Sequence, residues 1–416
     1  SGPNRQGGRM PVSAYVLNES QIPEAPARRS LNRDNEKAVE GRPVHARMHP
    51  VRVVIAGGGT GGHLFPGIAI AQEILSRNEQ SEVLFIGTGN PFERSVLSEK
   101  GFKFATITVQ GLKNRGIVNQ MKALVLLPAS LIAAGNILNA FDPDLVLGVG
   151  GYSAGPVVAA AWLKGIKTAL QEQNILPGIT NRWLSRITDR LYLSFPETRG
   201  MEAAAKAVVT GNPVRHEFFD DLPSRQEKRK TAENEEARFT VLIAGGSQGA
   251  HAINLAMQSA MGRLANSQRF HFIHQTGTND ESMMKAAYAN SPAKSTVKAF
   301  FGDMARRYQA ADLVICRAGA TTVAEITALG KPAIFIPFPY AADDHQRLNA
   351  ESLVREGASE MILEKDLDGK MLAQRIEYFK GAPEELARMS ARAALLGRPK
   401  AARTIVDDMY TLIGNE

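Results

Sequence analysis

The chain has 416 residues, 44% hydrophobic and 22% charged, with a net charge of +7 and one cysteine. That length supports two cores of roughly 150–200 residues each, and the lone Cys316 excludes an internal disulfide framework and points to a reducing cytoplasm. Three of the seven excess positive charges fall in the first 50 residues, which leaves too mild a balance to argue for nucleic acid.

Residues 1–49 are proline-rich, lack both the strand and the helix period, and read as a disordered leader with no secretory signal pattern. From residue 50 to 212, short β-branched runs (VRVVIA, EVLFIG, DLVLGVGG, TALQEQ, RLYLSF) alternate with longer helical patterns. This alternation predicts an α/β domain with a parallel sheet covered on both faces. GGGTGGHLFPG, residues 57–67, follows the first strand and satisfies G-x-G-x-x-G at Gly57, Gly59 and Gly62. Such a turn cradles phosphate, because backbone N–H groups and the positive helix end face the same anion. The next strand ends in Gly-Thr-Gly without the acidic residue a dinucleotide ribose needs, and neither glycine loop of the chain carries GK[ST]. His63, at the helix entrance, reads as a general base, a helix cap or an anion contact.

Residues 113–138, KNRGIVNQMKALVLLPASLIAAGNIL, are apolar beside Lys113, Arg115 and Lys122, but Pro128, Ser130, Gly135 and Asn136 break the run below spanning length. The segment reads as a docking element for an anionic bilayer surface or as a buried helix pair with a basic end. Asp142-Pro143-Asp144 precedes a strand and reads as a turn, so no metal site is assigned. A polar stretch, 213–236, reads as the linker to a second domain, 237–390, which opens on FTVLIAGGSQGAHAINLAM and so echoes the first strand, glycine turn and helix. The closing stretch, 391–416, is helical in pattern and able to pack across either domain.

The richest segment is CRAGATTVAEITALGKPAIFIPFPYAADDHQRLNA, residues 316–350. A strand enters a small-residue turn at Ala318–Thr321, then a helix whose start would stabilise phosphate oxygens. Glu325 either accepts hydrogen bonds from both hydroxyls of a ribose or closes a capping box by reaching back to the Thr322 N–H. Asp343, Asp344, His345, Gln346 and Asn349 suit sugar hydroxyls, or else form a solvated loop and a polar helix face.

GGGTGGHLFPG, GVGGYSAGP (148–156), QEQN (171–174), GNPVR (211–215), GGSQGA (245–250), FFGDM (300–304) and RAGATTVAEITALGKPAIFIPFP (317–339) occur in that order. Together they resemble the family of bacterial glycosyltransferases that move N-acetylglucosamine from UDP-N-acetylglucosamine to lipid I, the undecaprenyl-diphosphate-linked muramyl pentapeptide. The resemblance runs from about residue 50 to the C-terminus. It implies a GT-B fold, two Rossmann-like domains around an interdomain cleft, with the acceptor domain first, the UDP-sugar domain second and the final helix returning to the first. Carried onto matching positions, it implies Ser247 near the diphosphate, the Phe301 backbone against uracil, Ala320, Thr321 and Thr322 near phosphate, Val323 and Ala324 among the UDP-sugar contacts, Glu325 on ribose and Gln346 on the sugar. Asn174, Arg215 and the loop Thr60, Gly61, Gly62 would complete the donor site.

The resemblance further implies His63 as general base, Tyr152, Ser153 and Glu172 as acceptor contacts, no cofactor, no required metal, and work at the cytoplasmic face of the membrane, where other cell-wall and division proteins are possible partners. Gln171 stands where a histidine is frequent in the family, and His345 where some members carry glutamine.

Overall fold

The computed structural model describes residues 49–109, 117–201, 205–219, 238–246 and 248–414. The expected leader, the basic end of 113–138, most of the expected linker and Ser247 lie outside the described residues.

The first half is a seven-stranded parallel sheet of β1 (Arg52–Gly57), β2 (Glu82–Gly87), β3 (Lys103–Thr106), β4 (Leu145–Gly150), β5 (Lys167–Glu172), β6 (Arg190–Leu193) and β7 (Ala207–Val209), in the order β3-β2-β1-β4-β5-β6-β7. Its connections carry helices α1 (Gly61–Arg77), α2 (Pro91–Glu99), α3 (Ile117–Phe141), α4 (Ala154–Leu163) and α5 (Ile179–Leu184). The second half is a six-stranded parallel sheet of β8 (Phe239–Ala244), β9 (Phe270–Gln275), β10 (Lys294–Lys298), β11 (Leu313–Cys316), β12 (Ala333–Phe335) and β13 (Glu360–Met361), ordered β10-β9-β8-β11-β12-β13. Helices α6 (His251–Met261), α7 (Glu281–Ala289), α8 (Met304–Ala310), α9 (Ala320–Ala328) and α10 (His345–Arg355) join its strands, and α11 (Gly369–Gly381), α12 (Pro383–Leu396) and α13 (Ala401–Leu412) close the chain.

Period-two burial explains why these runs are apolar throughout. Val53 and Ile55 pack on one face of the first sheet with Leu64 and Ile68 of α1, while Val54 and Ala56 pack on the other with Val157 and Val158 of α4. α13 adds Ile405, Val406 and Met409 to the α1 side, fixed at the rim by Arg77 to Asp407 at 2.6 Å and by the Tyr192 hydroxyl to Asp408 at 2.9 Å. The C-terminal helix thus belongs to the first sheet's core, whereas Met389 of α12 belongs to the second's.

Three sequence expectations change. The short strands β3 and β7, partly exposed at the two edges of the first sheet, carry little apolar pattern and were not predicted. α3 runs unbroken through Pro128, one long helix where one of the two readings of this segment had a helix pair. Val214 and Phe218, assigned to the linker, are buried in the second sheet's core, so the chain already packs there before residue 220.

In each sheet the strand order reverses beside the central strand, between β1 and β4 and between β8 and β11. Ligands of open parallel sheets bind at such switch points, outside the carboxyl ends of the strands. Both glycine loops and the turn into α9 leave from these positions.

Candidate active site

The loop after β1 is shaped by close backbone approach. Gly57 has φ 133°, and a Cβ there would lie 2.2 Å from the Gly150 carbonyl oxygen; Gly58 and Gly59 follow with φ 142° and 88°. Only glycine occupies such backbone without strain. The loop is clamped by Glu93, fully buried at the start of α2. Its carboxylate accepts the Gly59 N–H, the Gly89 N–H at 2.7 Å and the Thr88 hydroxyl at 3.1 Å, while Asn90 and Glu93 complete a capping box. Sequence reading missed Glu93, although the spacing Asn90-x-x-Glu93 is itself a capping signal.

Thr60 is the N-cap of α1 without a side-chain cap, and Gly319 is the uncapped N-cap of α9. Helix starts leave their first N–H groups without intrahelical partners, so each is an anion site in waiting. The two starts meet. Thr321 donates its hydroxyl to the Gly62 carbonyl at 3.1 Å. That carbonyl is open to it because Pro66, four residues on in α1, has no N–H to offer.

Two further contacts join the halves. Asn349, fully buried, donates to the Asn174 side-chain oxygen at 3.2 Å and to the Ala318 carbonyl at 3.3 Å, and accepts the Ile175 N–H at 3.4 Å. It is therefore a staple, and neither a sugar contact nor part of a solvated face. Arg215 lies between Phe65 and Phe218, its guanidinium 4.1 and 4.9 Å from their ring centres, and reaches Glu325 at 3.3 Å and Glu217 at 3.3 Å.

Glu325 faces inward, which overturns the capping-box alternative. Its partners are Arg215 and the Tyr308 hydroxyl, and burial pushes its carboxyl above the usual carboxylate range despite both.

His63 occupies the third position of α1 with its ring against Gly150, where a Cβ would lie 2.8 Å from Nδ1. Gln173 holds that nitrogen at 3.0 Å. Burial lowers the imidazole's pKa below the ordinary histidine value, the hydrogen bonds to Gln173 and the Val149 carbonyl oppose the shift, and the charge of neighbouring His345 adds to it. Neutral His63 is therefore the resting form near pH 7.

Other expected site residues fall into distinct places. Glu172 is buried and accepts from the Asn174 N–H at 2.9 Å, the Asn181 amide at 2.8 Å and the Gly178 N–H at 3.3 Å. Its carboxylate thus builds the loop that presents Asn174. Tyr152 is exposed and Ser153 buried at the start of α4. Val323 is buried in the second half's core, away from the helix mouth that Ala320, Thr321 and Thr322 form, and Ala324 packs against the same cluster.

Gln346 accepts the Phe338 N–H at 3.0 Å. The Phe301 N–H is taken by Gln275 at 2.9 Å, whose amide also donates to Gly246 at 2.9 Å, so Gln275 ties together the two loops flanking the candidate nucleotide site. Asp144 accepts the Arg52 N–H at 2.7 Å, a structural use for the acidic pair before β4.

Residues 53–193 match the model of the glycosyltransferase family 28 N-terminal domain, and residues 240–405 that of the glycosyltransferase family 28 C-terminal domain. A relative from Syntrophus aciditrophicus (strain SB), named UDP-N-acetylglucosamine--N-acetylmuramyl-(pentapeptide) pyrophosphoryl-undecaprenol N-acetylglucosamine transferase, is 50% identical over 87% of this chain and 99% of its own length. A protein of the same name from Geobacter sulfurreducens is 44% identical over 86% of this chain and 98% of its own.

Among solved structures, Acinetobacter baumannii MurG superposes with a TM-score of 0.68 at 31% identity, covering 87% of this chain and all of that one. The UDP-GlcNAc 2-epimerase of Neisseria meningitidis, solved with UDP-GlcNAc, reaches 0.62 at 15% identity over 87% of this chain and 100% of its own, a likeness of fold alone.

Proposed function

The chain belongs to glycosyltransferase family 28, and on that premise we propose that it transfers N-acetylglucosamine from UDP-N-acetylglucosamine to the muramyl sugar of undecaprenyl-diphosphate-linked muramyl pentapeptide. The observation that carries the geometry is the Thr321 to Gly62 bond, which brings both uncapped helix starts to one point of the cleft.

The donor's diphosphate lies at the start of α9, with Ala320 to Thr322 supplying N–H groups. Glu325 takes the ribose hydroxyls, which requires it to share or release Arg215, and Arg215 then turns toward phosphate. Uracil lies against the backbone of Phe301, Gln346 and Asn174 border the sugar, and the loop Thr60 to Gly62 closes over it. Tyr152, exposed beside the mouth of β4, meets the acceptor.

His63 removes the proton of the muramyl C4 hydroxyl as that oxygen bonds to C1 of the donor sugar. The C1–O bond to UDP breaks with its electron pair leaving on the β-phosphate, where the α9 start stabilises the charge. Attack from the face opposite UDP converts an α-linked donor into a β-1,4-linked product. This reading assigns leaving-group stabilisation to the helix dipole and N–H groups and gives no step to a metal.

The acceptor's lipid places the enzyme at a bilayer, and we read the first half as its docking side, peripheral on the cytoplasmic face. Among the described residues no helix is long and apolar enough to cross a membrane. Yet Ile132, Trp162, Leu163 and Trp183 on α3, α4 and α5 are exposed, with Lys164, Arg182 and Arg186 on the same or adjoining turns. Exposed aromatics beside cations suit an anionic interface.

Radiolabelled UDP-N-acetylglucosamine offered with lipid I and with diacylglycerol tests both readings. Transfer is expected to lipid I alone, and Trp183→Ser is expected to slow it on anionic vesicles while leaving a soluble lipid I analogue unaffected. Transfer to diacylglycerol overturns the acceptor, and equal loss on both lipid I forms overturns the docking side.

A further inference from the structure

We infer that Gln173 is a positioning residue that locks His63 in the Nδ1–H tautomer, leaving Nε2 as the ring atom that receives the acceptor's proton. The inference rests on the proposed base role of His63 and adds which nitrogen acts and what fixes it.

The orientation of the Gln173 amide is set by groups that can only accept. Its Nε2 faces the Val149 carbonyl at 2.7 Å and the Gln171 backbone carbonyl at 3.3 Å, so that atom must be the NH₂ group. It also donates to the Gln171 side-chain oxygen. Gln171 is oriented in turn, with its own NH₂ 3.0 Å from the Asn212 oxygen and 3.1 Å from the Ser194 hydroxyl, which itself donates to the Glu172 carbonyl at 2.8 Å.

With the two protons of Gln173 shared among these three acceptors, the atom 3.0 Å from His63 Nδ1 is the amide oxygen. Two acceptors cannot share a hydrogen bond without a proton between them, so Nδ1 carries it. A neutral imidazole has one N–H, and Nε2 is left with its lone pair. Both glutamines are essentially without solvent exposure, so water does not compete for these bonds.

The consequence is economy of motion. A freely tautomerising imidazole would present Nε2–H to the C4 hydroxyl part of the time and could not then accept its proton. Here the reactive tautomer is the resting one. When Nε2 takes the proton, the imidazolium donates through Nδ1 to Gln173, a neutral acceptor that orients the ring without holding it permanently charged.

Full-length protein labelled with ¹⁵N-histidine is examined by long-range ¹H–¹⁵N NMR near neutral pH, with His63 identified by its absence from the His63→Ala spectrum. A protonated Nδ1 and a bare Nε2 are expected. Gln173→Met is expected to populate the other tautomer and lower kcat by about tenfold or more, with KM for UDP-N-acetylglucosamine near the parent value. A parent His63 protonated at Nε2, or a Gln173→Met enzyme unchanged in tautomer and kcat, overturns the inference. If Gln173→Met does not fold, the parent tautomer decides alone. Near-parent turnover of His63→Ala would remove the base role while leaving the tautomer assignment standing, so the two failures are distinguishable.

Discussion

His63→Ala is expected to reduce turnover by about 10²- to 10⁴-fold while UDP affinity stays near the parent value, as read by steady-state transfer to a soluble lipid I analogue and by calorimetric UDP titration. The reason is chemical. The C4 hydroxyl is a weak nucleophile until its proton leaves, and removing the imidazole removes the group placed to take it. In the proposed donor site the uridine and diphosphate contacts lie mostly on the second half, around α9, so the change is expected to leave them untouched.

The same geometry fixes a pH dependence. Burial holds the imidazole's pKa below its ordinary value, and the base works only when neutral. Activity therefore falls as pH drops through that lowered pKa, so the acid limb of the kcat/KM profile, which reports the free enzyme, lies below about 6.5. An anion contact would behave oppositely, since protonated His63 would bind diphosphate better at low pH. Near-normal turnover in the alanine variant, with UDP affinity lost, would transfer His63 to that alternative.

Glu325→Ala is expected to weaken UDP binding by about 10- to 100-fold, from loss of charge-assisted hydrogen bonds worth about 1.5–3 kcal/mol. It is also expected to destabilise the fold, because Arg215 is left buried between two aromatic rings with only the more exposed Glu217 as counter-charge. Breaking a buried pair from one side costs about 3–5 kcal/mol when the remaining charge has no other partner, and Glu217 offsets part of that here.

The two effects separate in a double variant. Arg215→Met with Glu325→Leu replaces both charges by apolar groups of similar size, and urea unfolding is expected to show stability largely regained. UDP affinity is expected to stay low, since no carboxylate remains for the ribose. Regained affinity in the double variant would show that Glu325 matters only as the partner of Arg215.

Much of the fold was legible because its signals are local. Strand, glycine turn and helix at residues 51–77 and again at 239–261 are contiguous in sequence, and each glycine loop sits where the sheet order reverses. The edges were not legible: β3 and β7 are short and partly exposed, so no apolar run marks them.

The site divides the same way. The positions of His63 and Glu325 follow from adjacent motifs, but their partners come from afar. Gln173 is 110 residues from His63, Arg215 is 110 from Glu325, and Asn349 is 175 from Asn174. Nothing in the local pattern of QEQN distinguishes Glu172, which builds a loop, from Gln173, which orients a ring. Only the parallel pairing of β5 beside β4, which sets Gln173 against the Val149 carbonyl, makes that difference.

A crystal structure of the full chain with UDP-N-acetylglucosamine would test most directly whether both halves grip one donor. The account predicts diphosphate at the N–H groups of Ala320 to Thr322, ribose on Glu325, and the anomeric carbon facing the His63 side of the cleft. A donor bound with its anomeric carbon turned from His63, or held without contact to the start of α9, would contradict it.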